Sequence, residues 1–272
     1  MEHPSHEILD HGYLRLVETW GSDERIVEAA RMSTGKGFLG WGSGCCKHCG
    51  ISPEDATDKG LAGDQCPDGA DHIWDVGDAK LLKYLWEHQH STPFEMAGLT
   101  IEVQAPIFLF REWHRHRVPF GYNEASARYA PLPEIDYVPT VARLMRGGGH
   151  LTKQAGLAAG AQVLTEEIAF KDLEALREYY KAGQALYDRF LDHGWPKELA
   201  RLPVTVGRYS KMRATGNLRG WLALLTLRGA PAAQWEFQEY SAVLGRRVIS
   251  QAFPRVWSLF LAGMPSFARE GL

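Results

Sequence analysis

The chain has 272 residues, 45% of them hydrophobic and 23% charged, with a formal net charge of −3. That is ordinary globular composition, long enough to bury a substantial core, and the near-balanced charge argues against a general nucleic-acid binder with its broad basic surface. No apolar run approaches membrane-spanning length, and the opening "MEHPSHEILDHG" is acidic and His-rich rather than signal-like, so a cytoplasmic protein with no membrane partner is expected.

In chain order, "GSDERIVEAARMS" reads as a helix: Ser22 can cap it, Asp23 and Glu24 suit its positive end, and Ile26, Val27 and Ala30 share a face. The stretch at about 35–76 is rich in Gly and turn residues and lacks periodicity, which reads as a long insertion or lid. Helical spacing returns from Asp78 with "DAKLLKYLWEHQH", where Leu81, Leu82 and Leu85 supply the apolar face. "LTIEVQA" alternates Leu99, Ile101 and Val103 with polar neighbours, the pattern of a half-buried strand. Pro106 suits the first turn of a helix, "PIFLFREWHRHR", that would carry a basic cluster at its C-terminal end. The region from about Gly147 to Gly194 reads as mostly long helix, and "PKELARL" starts another with Pro196 near its first turn. "VTVGRYSKMRAT" has the pattern of a strand or extended arm, and "NLRGWLALLTLR" and "PAAQWEFQEYSAVLGRRVISQAF" close the chain as helices. With no internal repeat and no clean linker, a single α+β domain over 1–272 is expected, interrupted by the cysteine-containing insertion.

The stretch "REWHRHRVPFGYNEASARY", residues 111–129, gathers Arg111, His114, Arg115, His116, Arg117 and Arg128 around Glu112 and Glu124. Arg115 and Arg117 each offer a planar fork of donors to a phosphate, and Ser126 and Arg128 can take the other side of the same anion. A solvated helix end would also collect cations, because they complement the negative end of the helix dipole. Trp113, Tyr122, Asn123 and Tyr129 among the same residues favour a binding site for a small anion, and the spacing alone leaves the ligand open.

All four cysteines, Cys45, Cys46, Cys49 and Cys66, fall in the insertion, so the folded body has no cysteine nucleophile. Cys46-x2-Cys49 with Cys66 and His72 is a candidate tetrahedral zinc set of structural type, with Cys45 and His48 as alternative ligands. A flexible lid with reduced thiols is the other reading, and both stand at this point.

"RHR", then the spacer "VPFGY", then "NEASARY" resembles the signature of the flavin-dependent thymidylate synthases. Further blocks resemble the family in its order: "RIVEAARMS" (25–33), "HSTPFEMAGLTIEVQAPIFLFREWHRHR" (90–117), "ELAR" (198–201), "NLRGWLALLTLR" (217–228) and "AQWE" (233–236). The resemblance implies a homotetramer of mixed α/β fold with FAD at subunit interfaces. It implies conversion of dUMP to dTMP, with methylenetetrahydrofolate as carbon donor and NADPH as the hydride source for the flavin. It agrees with the lack of a cysteine in the body, since the cofactor's hydride and electrostatic activation of the pyrimidine then carry the chemistry.

By that resemblance, Ser33, Thr92, Glu95, Arg115, His116, Arg117, Asn217 and Arg219 match positions that contact FAD. Glu112, Glu124, Ser126, Ala127, Arg128 and Arg201 match the nucleotide site, with Ser126 and Arg128 toward the phosphate. Arg228 matches the arginine that polarises the uracil ring, His90 a histidine beside the flavin, and Glu198 a glutamate near the pyrimidine. The pattern departs in places. The spacer after Arg117 is one residue longer, and Phe120 or Gly121 falls where serine is common. Glu112 stands where Gln is frequent, and near a phosphate its charge would need neutralising by Arg111 or Arg115. Ala223 and Ala232 replace a frequent Asn and His. These departures leave two other readings: a related enzyme that stops at 5-hydroxymethyl-dUMP or takes another pyrimidine nucleotide, and a nucleotide- or nucleic-acid-binding protein without catalysis.

Overall fold

Strict alternation of apolar and polar residues builds the centre of the sheet in the computed structural model, which describes residues 3–42, 45–47, 49, 75, 77–146 and 164–264. Strand β3 (Gly98–Pro106) turns Leu99, Ile101, Val103 and Ala105 to one face, all fully buried. Strand β5 (Tyr209–Asn217) runs antiparallel to it, with Ala214 opposite Ile101 and Met212 opposite Val103. The intervening residues form a polar face, where Glu102 accepts from the Tyr13 hydroxyl at 3.0 Å and from Arg15 at 2.9 Å. One core face and one polar face is the usual economy of an antiparallel sheet.

Three more strands complete it, in the order β1-β2-β3-β5-β4 with every pair antiparallel: β1 (Ser5–Ile8), β2 (Gly12–Trp20) and the edge strand β4 (Gly121–Glu124). The β1–β2 hairpin has no counterpart among the predicted elements. Leu14 and Leu16 flank Arg15 in strand fashion, but a register shift between Leu16 and Glu18 breaks the alternation that would have announced it.

Helix α1 (Asp23–Ala30) begins as expected, with Ser22 accepting from the Arg25 amide at 3.3 Å, and α2 (Ala79–Glu87) buries Leu82 and Leu85. The helix expected from Pro106 through Arg117 is shorter. Pro106 closes β3 and caps α3 (Ile107–Trp113), so the basic cluster lies beyond the helix, in a turn. The Tyr122 hydroxyl draws the chain out of helix by donating to the carbonyls of Trp113 at 3.2 Å and His116 at 2.6 Å, and Pro119 disfavours helical backbone at Val118.

After α4 (Val141–Arg146), the long α5 (Glu166–Asp192) accounts for the described part of the helix expected over 147–194; residues 147–163 lie outside the described residues. A short α6 (Lys197–Ala200) follows Pro196. Helix α7 (Leu218–Arg228) starts directly where β5 ends, with Asn217 Oδ1 accepting from the Gly220 amide at 2.9 Å. Trp221 donates to the Leu99 carbonyl at 3.1 Å and pins this helix across β3. Helix α8 (Trp235–Val243), a π turn (Leu244–Ile249), α9 (Ser250–Ala252) and α10 (Pro254–Gly263) finish the layer over the core face, burying Phe237, Tyr240, Val256 and Phe260. Each such buried side chain contributes about 1.5–3 kcal/mol. No described helix is long and apolar enough to cross a membrane.

The first residues of the stretch expected to be an insertion are fixed to the body. Arg31 pairs with buried Asp78 at 2.9 Å, Asp78 also accepts from the Leu39 amide at 2.8 Å, and Trp41 donates to Glu24 at 2.9 Å. Of the zinc set, Cys46 and Cys49 are described, while Cys66 and His72 lie outside the described residues. Among the described residues, no three His, Cys, Asp or Glu side chains are grouped to hold a metal ion.

Candidate active site

Helix α7 carries a candidate group at each end. At its last residue, Arg228 donates from Nε to His116 Nε2 at 2.9 Å and from Nη1 to the Glu112 carboxylate at 2.6 Å. Its Cζ lies 5.2 Å from the centre of the Phe237 ring, a support that the sequence signalled only as the residue after "AQWE". The Glu112 charge is thus met by Arg228 rather than by Arg111 or Arg115. These side chains line an open cavity of about 690 Å³ with Arg111, Arg115 and Leu227. Burial, and then the charge of Arg228, hold the His116 imidazole below its ordinary pKa, so it is neutral near pH 7.

The turn after α3 runs back along α7 from this end. Phe120 sits edge-on to Trp221 at 4.7 Å and passes over Gly216, where an added Cβ would come 2.6 Å from the Phe120 ring. Pro119 packs on Gly220 in the same way, at 2.4 Å from an added Cβ. The spacer after Arg117 is thus packed down, with glycines four residues apart beneath it. Arg115 and Arg117 stay exposed, and neither forms an ion pair with another described residue.

At the first turn of α7, Arg219 meets Glu95 at 2.5 Å, and Glu95 shares the short 3-10 turn Thr92–Met96 with Thr92. Arg219 also borders a second cavity of about 730 Å³, largely apolar, with Trp86, Phe94, Leu222, Ala223 and Phe260. His90 is exposed beside Tyr84, their rings 5.7 Å apart. Ser33 lies in the turn Met32–Thr34 after α1. Among the described residues, no hydrogen bond or ion pair ties Ser33 or His90 side chains to the groups on α7.

The third group joins the turn after β4 to α6. Arg128 approaches the Glu198 carboxylate at 3.5 Å, the Arg128 amide donates to Ser126 Oγ at 3.3 Å, and Arg201 Nε donates to the Glu198 carbonyl at 3.3 Å. The Glu198 side chain thus turns to Arg128 instead of Arg201, its neighbour on α6. Ala127 is buried between them in sequence, Glu124 is half-buried, and Lys197 donates to the Tyr129 carbonyl at 3.3 Å, a contact without any signal in the residue pattern.

Large exposed apolar side chains adjoin these residues along the chain: Met32 beside Ser33, Met96 beside Glu95, Val118 beside Arg117, Tyr129 beside Arg128, Leu202 beside Arg201 and Leu227 beside Arg228. Val118 is 90% and Met32 79% exposed. Scattered apolar residues mean little, but their recurrence beside polar candidates marks a surface suited to being covered.

Comparison with known proteins gives a consistent result. The family model described as "Thymidylate synthase complementing protein" matches residues 15–255. A flavin-dependent thymidylate synthase of Thermosipho melanesiensis is 31% identical over 257 residues, 94% of this chain and 93% of that protein. One from Thermus thermophilus is 31% identical over 253 residues, covering 93% of this chain and 77% of its own length. Among solved structures, a UMP/dUMP methylase, PolB from Streptomyces cacaoi, bound with 5-Br dUMP, superposes with a TM-score of 0.68 at 27% identity, over 97% of this chain and 99% of that one.

Proposed function

The chain belongs to the flavin-dependent thymidylate synthase family, and from that premise we propose that it methylates dUMP to dTMP, with methylenetetrahydrofolate as carbon donor and NADPH as reductant of bound FAD. The observation that carries the reading is the cluster of Arg228, Glu112 and His116 at the cavity beside the Arg-His-Arg turn. It supplies a fixed guanidinium for the negative charge that builds on a pyrimidine when its ring carbon is activated.

The residues present fit FAD by their donor chemistry. Exposed Arg115, Arg117 and Arg219 suit a diphosphate, and Ser33, Thr92, Glu95, His116 and Asn217 complete the proposed contacts. When bound, the flavin supplies hydride to the transferred carbon. The chain's own part is to bind and orient. Ser126, Arg128 and Arg201 take the nucleotide phosphate, Glu124 and Ala127 line its path, and Arg228 draws electron density toward a ring carbonyl. His90 is assigned to the folate, on its likeness to a histidine beside the flavin in the family. With every cysteine confined to residues 45–66, no thiol from the body attacks the ring.

The names of the relatives favour methylation over a hydroxymethylated product or non-catalytic nucleic-acid binding. The test is an absorption spectrum after reconstitution with FAD, followed by product mass from dUMP, or from UMP in a parallel arm, with folate and NADPH. A colourless protein after reconstitution, or a product one oxygen heavier than dTMP, would sink the reading.

Exposed Met32, Val118 and Leu227 support a tetramer with interface sites, which sedimentation checks; an active monomer would contradict it. A structural zinc on Cys46, Cys49, Cys66 and His72 is proposed for the insertion, with about one ion per subunit in metal analysis of reduced protein. Absence of zinc would leave the plain lid.

A further inference from the structure

Glu112 holds Arg228 at two points. Its carboxylate accepts from Nη1 at 2.6 Å and its backbone carbonyl from Nη2 at 3.4 Å, while Nε is taken by His116. Every nitrogen of the guanidinium is thus engaged, yet of its five N–H groups two remain. Arg228 lines the open cavity, so these two are the donors it retains for a ligand there. The hold is stiff. Glu112 lies on the last turn of α3 next to buried Trp113, whose ring packs 4.9 Å from Phe237, and Phe237 in turn supports Arg228. The two paired side chains are 22% and 27% exposed, so solvent screens their attraction less than it would a surface pair.

We infer that Glu112 is a positioning residue, which fixes the Arg228 guanidinium so that its remaining donors reach a pyrimidine carbonyl, rather than an independent contact to the nucleotide. The inference rests on the thymidylate synthase reading above. A nucleotide phosphate and the Glu112 carboxylate would repel each other if adjacent, and pairing with Arg228 removes that conflict while fixing the donor geometry. A glutamine in its place keeps an acceptor oxygen for Nη1, so it should preserve most of the aim. Alanine leaves the guanidinium held by His116 and one carbonyl only.

The experiment is a double-mutant cycle on the full-length, FAD-loaded enzyme with Glu112→Ala, Glu112→Gln, Glu112→Asp, Arg228→Ala and the double alanine variant. Glu112→Ala is expected to lower kcat about a hundredfold, the scale of a misaimed catalytic group, with the KM for dUMP and the flavin content near wild type. Glu112→Gln restores most of the turnover. The double variant is no slower than Arg228→Ala alone, because the role of Glu112 runs through Arg228. Losses that multiply in the double variant, or a raised KM with intact kcat, would overturn the inference. Should the alanine variant fail to hold flavin, Glu112→Asp decides, since it keeps the charge one methylene short of Nη1: full turnover overturns the inference, lost turnover supports it. A wild-type enzyme that makes no dTMP fails the thymidylate synthase reading itself; active wild type with multiplying losses fails only the role of Glu112.

Discussion

Arg228 donates through Nε to Nε2 of His116 across 2.9 Å, and a guanidinium can only donate, so the ring must accept there and carry its proton on Nδ1. One contact thereby sets both the tautomer and the neutral state of the middle residue of the Arg-His-Arg turn. It also anchors the turn to the end of α7, while Pro119 anchors it to the helix start through Gly220 and Phe120 to the end of β5 through Gly216. The turn is held at both ends, which leaves Arg115 and Arg117 to point outward.

The titration of His116 follows. Burial first, and the Arg228 charge second, depress its pKa below the ordinary 6.5. The unfolded chain therefore takes up a proton that the folded one refuses. Stability linked to this group is intact above the unfolded value and declines as pH falls through it toward the folded value. NMR of the ring should show a midpoint below that of exposed histidines, moving upward in Arg228→Ala. Denaturant unfolding of His116→Gln should lose less stability on acidification than wild type. Equal losses would contradict the buried, neutral assignment.

Arg128 separates nucleotide binding from folding. Its pairing with Glu198 is long and exposed at both partners, so it is worth at most a few tenths of a kcal/mol to the fold. Its charged hydrogen bond to a phosphate is worth more, about 1.5–3 kcal/mol. Titration calorimetry of Arg128→Ala with dUMP should show weakening in that range, with melting temperature and flavin content held. Glu198→Gln, which removes a competing carboxylate, should not weaken binding. An Arg128→Ala affinity within twofold of wild type would remove Arg128 from the phosphate site.

Arg228→Lys keeps the charge and loses the planar fork. An ammonium cannot meet His116, Glu112 and a ring carbonyl in one plane, so turnover should fall about 10²–10³-fold at saturating dUMP, as when a preorganised donor is lost. Rapid-mixing measurements should place the loss in the carbon-transfer step. A variant with weakened binding and intact turnover would make Arg228 a binding residue only.

How much of this was legible in the sequence depended on the range of the physics involved. The Ser22 cap, the alternation of β3 and the helix of "NLRGWLALLTLR" are local, and each appears where the residues predicted it. The end of α3 at Trp113 was not legible, because it is decided by Tyr122 reaching back to two carbonyls. The cluster on "RHR" was visible as composition, but its division was not. His116 turns inward to Arg228, Glu112 is neutralised by that same residue 116 positions away, and Glu198 turns to Arg128 instead of Arg201. Such pairings rest on which faces the fold brings together, and no spacing rule encodes them.

Gly220 offers a test of the close approach that places the turn. Alanine is normally the better helix residue, by about 1 kcal/mol over glycine. Here an added methyl would stand 2.4 Å from Cδ and 2.6 Å from Cγ of Pro119, in a ring that cannot rotate away. Overpacking of this kind costs about 1–3 kcal/mol, so the clash outweighs the gain in helix propensity. Relief requires Pro119 to lift from α7, and His116 lies three residues before it. Gly220→Ala should therefore lower the melting temperature, weaken FAD binding and raise the His116 titration midpoint together. Gly216→Ala should be milder, because the Phe120 side chain it meets can swing about its own bonds. If Gly220→Ala instead stabilised the protein and left flavin affinity alone, the Pro119 contact would not be what holds the turn in place.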